Sequence, residues 1–255
     1  FIINPISVDL LQKSKDGTIK NGVKLHDGLM VESVLIPTET RTTACVSSQV
    51  GCSLNCEFCA TAKLKRMRNL EVAEIVDQVA LIDKQSKLYF DRPLSNIVFM
   101  GMGEPMMNYK NVVEAIKKIT EEGGLGMSAR RITVSTSGIP KMMKMLADES
   151  IKVKLALSLH SAIEQKRNDI MPFSIKFPLT EIMEAMQYWY EITGNRITFE
   201  YCVWKGINDG DEDIKALIKY CRQVPCKVNL IQYNPIGEGK FDHRNVEAEE
   251  RYVRE

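Results

Sequence analysis

Apolar residues follow two alternating rhythms along this chain. Short runs dense in valine, isoleucine, leucine and threonine occur at Ser33–Ile36, Thr43–Val50, Asn96–Met100, Arg131–Ser135, Val153–Leu159, Thr198–Val203 and Lys227–Tyr233. Such β-branched stretches predict strands. Between them lie amphipathic stretches of helical length, near Val72–Gln85, Asn111–Glu121, Met142–Glu149, Thr180–Glu191 and Asp211–Cys221. Their apolar side chains recur three and four residues apart, the period of one helix face. Thr180 or Leu179 is expected to cap the fourth of these helices, with Glu181 in its first turn. The alternation predicts repeated βα units around a mainly parallel sheet, an α/β fold. About six such units close only part of a barrel. The expectation is therefore a partial (β/α)6 barrel over residues 41–255, preceded by a short N-terminal β extension in residues 1–40. No internal repeat or low-complexity linker interrupts this plan.

Composition narrows the class only slightly. The 255 residues suffice for one large domain or a domain and a half. Hydrophobic residues at 44% and charged residues at 26% are ordinary for a water-soluble protein. No apolar run approaches the roughly 18–20 residues that cross a bilayer, and Phe1-Ile2-Ile3-Asn4-Pro5 lacks the pattern of a signal peptide. A cytoplasmic location without membrane contact is expected. The net charge of +1 neither demands nor excludes a nucleic-acid partner, so any RNA contact must come from a local patch. Lys63, Lys65, Arg66 and Arg68 form one candidate and Arg130-Arg131 another, and each reads equally as a solvated basic loop. Seven cysteines, three of them within eight residues, favour metal or redox chemistry over a disulfide framework.

Parallel sheets carry their reactive groups at the carboxyl ends of strands. The segments that fall there are Gly51–Cys59, Gly101–Pro105, Ser135–Gly138, Ser158–Ser161 and Asn234–Gly239. Loops are polar in any case, so the cysteine segment is the most informative. Cys52, Cys56 and Cys59 have the spacing C-x3-C-x2-C directly after a predicted strand. Thiolates are the natural ligands of iron–sulfur clusters, and three on one short loop leave one iron of a cubane open to a substrate. A zinc site is the alternative, but it ordinarily takes four protein ligands, and the nearest recruit is His160. Gly101-Met102-Gly103-Glu104 could let backbone approach the amino group of a ligand, with a carboxylate beside it, or could be a glycine-rich turn. Cys45, alone on a strand, reads as a buried small residue, and Glu32 as an edge-strand charge. His160 also admits an acid–base role. Cys202, Cys221 and Cys226 read as core or surface fillers, with Cys226 beginning the last strand.

The loop Cys52-Ser53-Leu54-Asn55-Cys56-Glu57-Phe58-Cys59 resembles the signature of the radical S-adenosylmethionine (SAM) superfamily. Longer stretches, Cys45–Cys52, Phe99–Pro105, Arg130–Gly138, Leu157–His160, Gly206–Asp209 and Asn229–Pro235, resemble the RlmN/Cfr family of RNA adenine methyltransferases, with Glu104-Pro105 nearer the RlmN branch. The likeness runs from about Gly28 to Gly239. It implies a radical SAM-type partial TIM-like barrel, a [4Fe–4S] cluster on Cys52, Cys56 and Cys59, and SAM as second cofactor. It places Gly103, Glu104, Ser135, Ser158, Leu159, His160 and Asn234 at SAM. The implied reaction methylates C2 of an adenosine in large-subunit rRNA, in tRNA or in both, with electrons from a donor such as flavodoxin or ferredoxin. One SAM methylates a cysteine near the C-terminus. A second yields a radical that activates this methyl group for addition to the base. The residue matching Glu32 then removes a proton from the adenine carbon, and the one matching Cys45 breaks the link between enzyme and RNA.

The resemblance also implies a methyl-carrying cysteine beyond Cys226 and a small helical domain before the β extension. The chain therefore reads as a core fragment that holds both cofactors without completing methyl transfer, or as a homologue that has lost that step. Two rival functions differ in kind. One is a radical SAM reaction on a small molecule or peptide, which the longer matches disfavour. The other is a non-catalytic zinc or RNA-binding module, which intact Cys52, Cys56, Cys59 and Glu104 disfavour.

Overall fold

A computed structural model describes residues 6–236, 241 and 245–254. Phe1–Pro5 and the Gly237–Gly239 part of the last predicted strand-end loop lie outside the described residues. The chain divides into two compact units. The first comprises Phe1–Ser53, Leu64–Ser135 and Lys152–Lys154, and the second Leu54–Lys63, Thr136–Ile151 and Leu155–Glu255.

The first unit begins with strands β1 (Ser7–Lys13), β2 (Ile19–Lys24), β3 (Met30–Pro37) and β4 (Thr42–Cys45), each antiparallel to the last. Two polar turns join the first three. Asp16 accepts from the Thr18 amide at 3.0 Å and Asp27 from the Leu29 amide at 3.1 Å, the side-chain-to-backbone bonds that make such turns. Next come β5 (Gln49–Val50) and β6 (Arg68–Asn69), which pair only with each other, then helix α1 (Val72–Phe90), β7 (Asn96–Phe99), α2 (Tyr109–Thr120) and β8 (Ile132–Thr136). Strands β4, β7 and β8 run parallel, so the sheet order in this unit is β1-β2-β3-β4-β7-β8. The antiparallel meander corresponds to the β extension, although β1 and β2 do not show in the apolar pattern, because β1 is exposed along its whole length. The run expected as one strand, Thr43–Val50, is broken: Val46–Ser48 leave the sheet and β5 pairs elsewhere.

The two faces of this sheet differ. Val31, Ser33, Leu35, Ala44, Ile97, Phe99, Ile132 and Val134 are buried on one face. Helix α1 packs against it through Ile75, Val79 and Ile82, spaced as one helical stripe. Asn21 and Gln85 exchange two side-chain hydrogen bonds there, at 3.0 and 2.6 Å. On the other face Val34, Cys45, Val98 and Thr133 lie opposite one another across four strands, all half-buried, with Glu32 exposed two residues along β3. One face is core; the other is open and polar.

The second unit carries α3 (Pro140–Asp148), β9 (Lys154–Ser158), α4 (Glu164–Ile170), α5 (Leu179–Thr193), β10 (Ile197–Cys202), α6 (Asp211–Cys221), β11 (Cys226–Ile231) and α7 (Val246–Arg254). Strands β9, β10 and β11 are parallel neighbours, which puts Ser158, Glu200 and Asn229 in one cross-strand row. Helix α5 starts at Leu179, but neither Leu179 nor Thr180 caps it. The Glu164 carboxylate from α4 accepts the Leu179 amide at 2.9 Å instead, a cap that sequence distance concealed. Helices α4 and α7 were not expected; α4 spans seven residues, too few to display a period.

The Asn21–Gln85 pair generates a stability prediction. Asn21→Leu alone leaves the Gln85 amide buried without its partner and should cost ~1–3 kcal/mol. Adding Gln85→Leu should recover much of that loss. Urea unfolding of both variants reads the difference, and equal losses in the single and double variants would contradict it.

Candidate active site

The cysteine loop is pinned at its base. Gly51 sits at φ 73°, and a Cβ there would come 2.3 Å from the Lys65 carbonyl oxygen, so only glycine lets the two ends of the loop close. The β5–β6 ribbon ties the ends together, and the Met67 amide donates to the Val50 carbonyl at 2.9 Å. Arg68 locks this base further: Nε donates to Asp27 at 2.6 Å, while Nη1 and Nη2 make a bidentate pair with Glu74 at 2.8 Å each. Arg68 therefore leaves the expected basic patch, its fork being committed inside the unit. Lys63, Lys65, Arg130 and Arg131 are exposed, and Arg66 is half-buried with Nη2 on Asn69 at 2.8 Å.

Ahead of the loop, Val46–Gln49 packs tightly on the turn after β7. A Cβ on Gly101 would lie 2.7 Å from the Val46 carbonyl, and one on Gly103, at φ 92°, would lie 2.4 Å from the Gln49 Cβ. Both glycines are thus accounted for by backbone packing inside the unit. The Ser48 and Gln49 amides donate to the Met102 carbonyl at 2.8 and 3.1 Å. The Glu104 amide donates to Gln49 Oε1 at 2.9 Å, and its buried carboxylate accepts the Met106 amide at 3.1 Å. Ser135 is buried at the end of β8.

Cys56 and Cys59 belong to the second unit. The Cys59 amide donates to the Cys56 carbonyl at 3.1 Å, and the Glu57 amide to the Ile170 carbonyl at the end of α4 at 3.0 Å. The Phe58 carbonyl accepts the Tyr233 hydroxyl at 3.1 Å. Phe58 packs with Ile170, Met171, Cys202, Trp204 and Phe241 in one apolar cluster. Cys52, Cys56 and Cys59 are all half-buried, and none of the seven cysteines forms a disulfide. Among the described residues no three His, Cys, Asp or Glu side chains converge as a preformed ion site.

His160 is buried at φ 55°, its ring 4.7 Å from that of Phe58 and 5.6 Å from that of Trp204. Its Nδ1 accepts the Cys202 amide at 3.2 Å. Burial, reinforced by the Arg167 charge, pushes its pKa down to about 3, so the ring is neutral and engaged. Its Nδ1 lone pair is thus committed to the Cys202 amide. Asn208, wholly buried, fixes the same corner by donating to the carbonyls of His160 and Cys202 at 2.6 and 2.8 Å. Ser158 is half-buried, Leu159 is enclosed with its amide on Glu200 and its carbonyl on Ser161, and Asn234 is exposed.

Cys45 and Glu32 share the open face of the first unit. Burial pushes the Cys45 thiol up to about 11; a backbone hydrogen bond at Met100 opposes this and the Glu32 carboxylate adds to it. Glu32, half-exposed, pairs with Lys20 at 2.6 Å. Two residues escaped the sequence reading. Glu200, buried between Ser158 and Asn229 in the cross-strand row, accepts Asn229 Nδ2 at 2.6 Å, and burial raises its carboxyl pKa. Arg167 on α4 is fully enclosed. For Glu200 the available signal was a charge within a mostly apolar strand run; Arg167, amid the polar residues of α4, gave none.

The donor chemistry fits an iron–sulfur cluster. Three half-buried thiols lie on a loop pinned at its base, and the buried Arg167 guanidinium on the neighbouring α4 has idle donors. Residues 46–221 match the family model of the Radical SAM superfamily, which defines the class of the fold and site. The chain is 66% identical to the "Probable dual-specificity RNA methyltransferase RlmN" of Flavobacterium psychrophilum, covering 100% of this chain and 73% of that one. The protein of the same description from Christiangramia forsetii is also 66% identical, over 99% and 72% of the two chains. The crystal structure of a radical SAM methyltransferase from Sphaerobacter thermophilus superposes with a TM-score of 0.95 at 39% identity, covering 99% of this chain and 74% of that one. The chain belongs to the RlmN family of radical SAM enzymes, a family that works with a [4Fe–4S] cluster and SAM. The α/β fold of radical SAM type expected from the sequence is the fold it has. No described helix is long and apolar enough to cross a membrane.

The environment of Cys45 makes its reactivity testable. An ordinary cysteine is half ionised near pH 9.0, whereas Cys45 should alkylate slowly until the pH nears about 11. Glu32→Gln should move the onset to lower pH. Peptide-resolved mass spectrometry of iodoacetamide labelling measures both, and an ordinary cysteine profile at Cys45 would contradict the assignment.

Proposed function

We propose that this chain is the catalytic core of an RNA methyltransferase that adds a methyl group to C2 of an adenosine in large-subunit rRNA and tRNA. In this reading residues 41–255 form the radical SAM core, and the extension of residues 1–40 contributes Glu32 to it. Cys52, Cys56 and Cys59 hold the [4Fe–4S] cluster. Gly103, Glu104, Ser135, Ser158, Leu159, His160 and Asn234 surround SAM. When bound, the two cofactors supply the methyl group and the one-electron chemistry that activates it. Electrons come from a flavodoxin or ferredoxin, and the reaction belongs in the cytoplasm.

The observation that carries this reading is the pairing of Cys45 and Glu32 on the open face of one sheet, close enough to interact electrostatically. A reaction ending in release from a covalent protein–RNA link needs a base to take the adenine proton and a thiol to break the link. Glu32 is half-exposed and beside Lys20, so it can accept a proton and return it to solvent. Cys45 is held as a thiol, which keeps it unreactive until its proton is drawn away. His160 stays neutral and contributes shape rather than proton transfer. Lys63, Lys65, Arg130 and Arg131 are available to RNA phosphates.

The whole gene product carrying Cys45→Ala should retain its cluster yet accumulate covalently linked RNA, with 2-methyladenosine reduced at least tenfold. Glu32→Gln should lower product to a similar extent. Denaturing gels and mass spectrometry of digested RNA read the two signals. Product formation at the parental rate by Cys45→Ala would overturn the assignment.

A further inference from the structure

Arg167 is a buried cation that feels the Glu164 carboxylate on the same helix but, among the described residues, donates no hydrogen bond to it. It is 0% exposed, and only its Nη2 is used, donating to the Ser137 carbonyl at 2.6 Å and to the Ser158 carbonyl at 3.4 Å. Nε and Nη1 are buried with no acceptor among the described residues. Glu164, one turn earlier on α4, has Oε2 on the Leu179 amide at 2.9 Å, and the Tyr220 hydroxyl donates to the Leu179 carbonyl at 2.9 Å. His160, which feels the Arg167 charge, is neutral and offers no anion. A guanidinium in low dielectric with idle donors is costly to bury unless an anion meets it.

The neighbourhood indicates which anion that is. The C-terminal end of α4 abuts the cysteine loop, where the Glu57 amide donates to the Ile170 carbonyl at 3.0 Å and Phe58 packs on Ile170 and Met171. Cys56, a ligand in the reading above, lies within electrostatic reach of Arg167. A cubane held by thiolates is an anion, and its reduction by one electron adds a further negative charge. We propose that Arg167 is the built-in counter-charge of the iron–sulfur cluster, a positioning residue whose fixed positive charge beside Cys56 favours the reduced state. The inference rests on the cluster reading of Cys52, Cys56 and Cys59. Arginine suits the role better than lysine, because its charge survives burial and its planar fork can donate from several nitrogens at once.

The test is an EPR-monitored dithionite titration of the anaerobically reconstituted, SAM-free protein, with iron and sulfide content as the control. Arg167→Met is expected to assemble the cluster but to reduce at a lower potential, while Arg167→Lys stays near the parental value. A parental potential in Arg167→Met overturns the inference, and so does a variant whose potential is unchanged but whose SAM affinity falls, since the guanidinium then serves SAM. Should Arg167→Met not fold, 15N-arginine labelling of the unsubstituted protein gives the same answer. A weak 15N coupling in pulsed EPR of the reduced cluster supports the inference, and its absence overturns it. An unsubstituted chain that assembles no cluster at all fails earlier, on the reading beneath, and takes this inference with it.

Discussion

The segment Val46–Gln49 must lie flush against the turn Gly101–Glu104, and the first unit is organised around that contact. Backbone meets backbone so closely that a Cβ at Gly101 would sit 2.7 Å from the Val46 carbonyl. The junction is stitched by the amides of Gly101, Ser48 and Gln49, by the Ser47 hydroxyl, which accepts the Met102 amide at 2.9 Å, and by Asn108, which donates to the Ser48 carbonyl at 2.8 Å. Because the stretch is held there, it leaves the main sheet, and β5 is delivered to β6 instead. That in turn fixes the point from which the cysteine loop departs. A loop whose ligands must meet a cluster at defined separations gains from a base that does not drift.

The same logic separates stabilising face from chemical face in the first unit. Residues facing α1 are almost wholly buried and, apart from Ser33 and the Asn21–Gln85 and Gln78–Ser47 amide contacts, apolar. The opposite face keeps Cys45, Thr133, Glu32 and Lys20 partly open. Alternation along each strand thus lets one residue serve the core while its neighbour serves the reaction. In the second unit the cross-strand row Ser158, Glu200 and Asn229 shows the same economy, with a buried carboxylate satisfied by an amide rather than by a cation.

What the sequence revealed follows physical range. The parallel strands and five helices were legible because their apolar periods repeat over many residues. Cys52, Cys56 and Cys59 were legible because their spacing is a covalent constraint. The meander's outer strands were not, because an exposed edge such as β1 has no buried face to write into the pattern. Arg68 looked like part of a basic run, yet its Nε is spent on Asp27, 41 positions away in the chain, and its fork on Glu74. Arg167 was invisible because α4 is too short to read and the backbone carbonyls it contacts lie 9 and 30 positions away. Pairings over such separations are made by the fold, and only the folded chain displays them.

Everything proposed for this chain requires that the cysteine loop hold an iron–sulfur cluster with an iron open to SAM. Electron paramagnetic resonance of the anaerobically reconstituted, reduced protein, with and without SAM, tests it most directly. A reduced [4Fe–4S] signal that changes when SAM is added is the expected result. Zinc in place of iron, or a cluster signal indifferent to SAM, would contradict it.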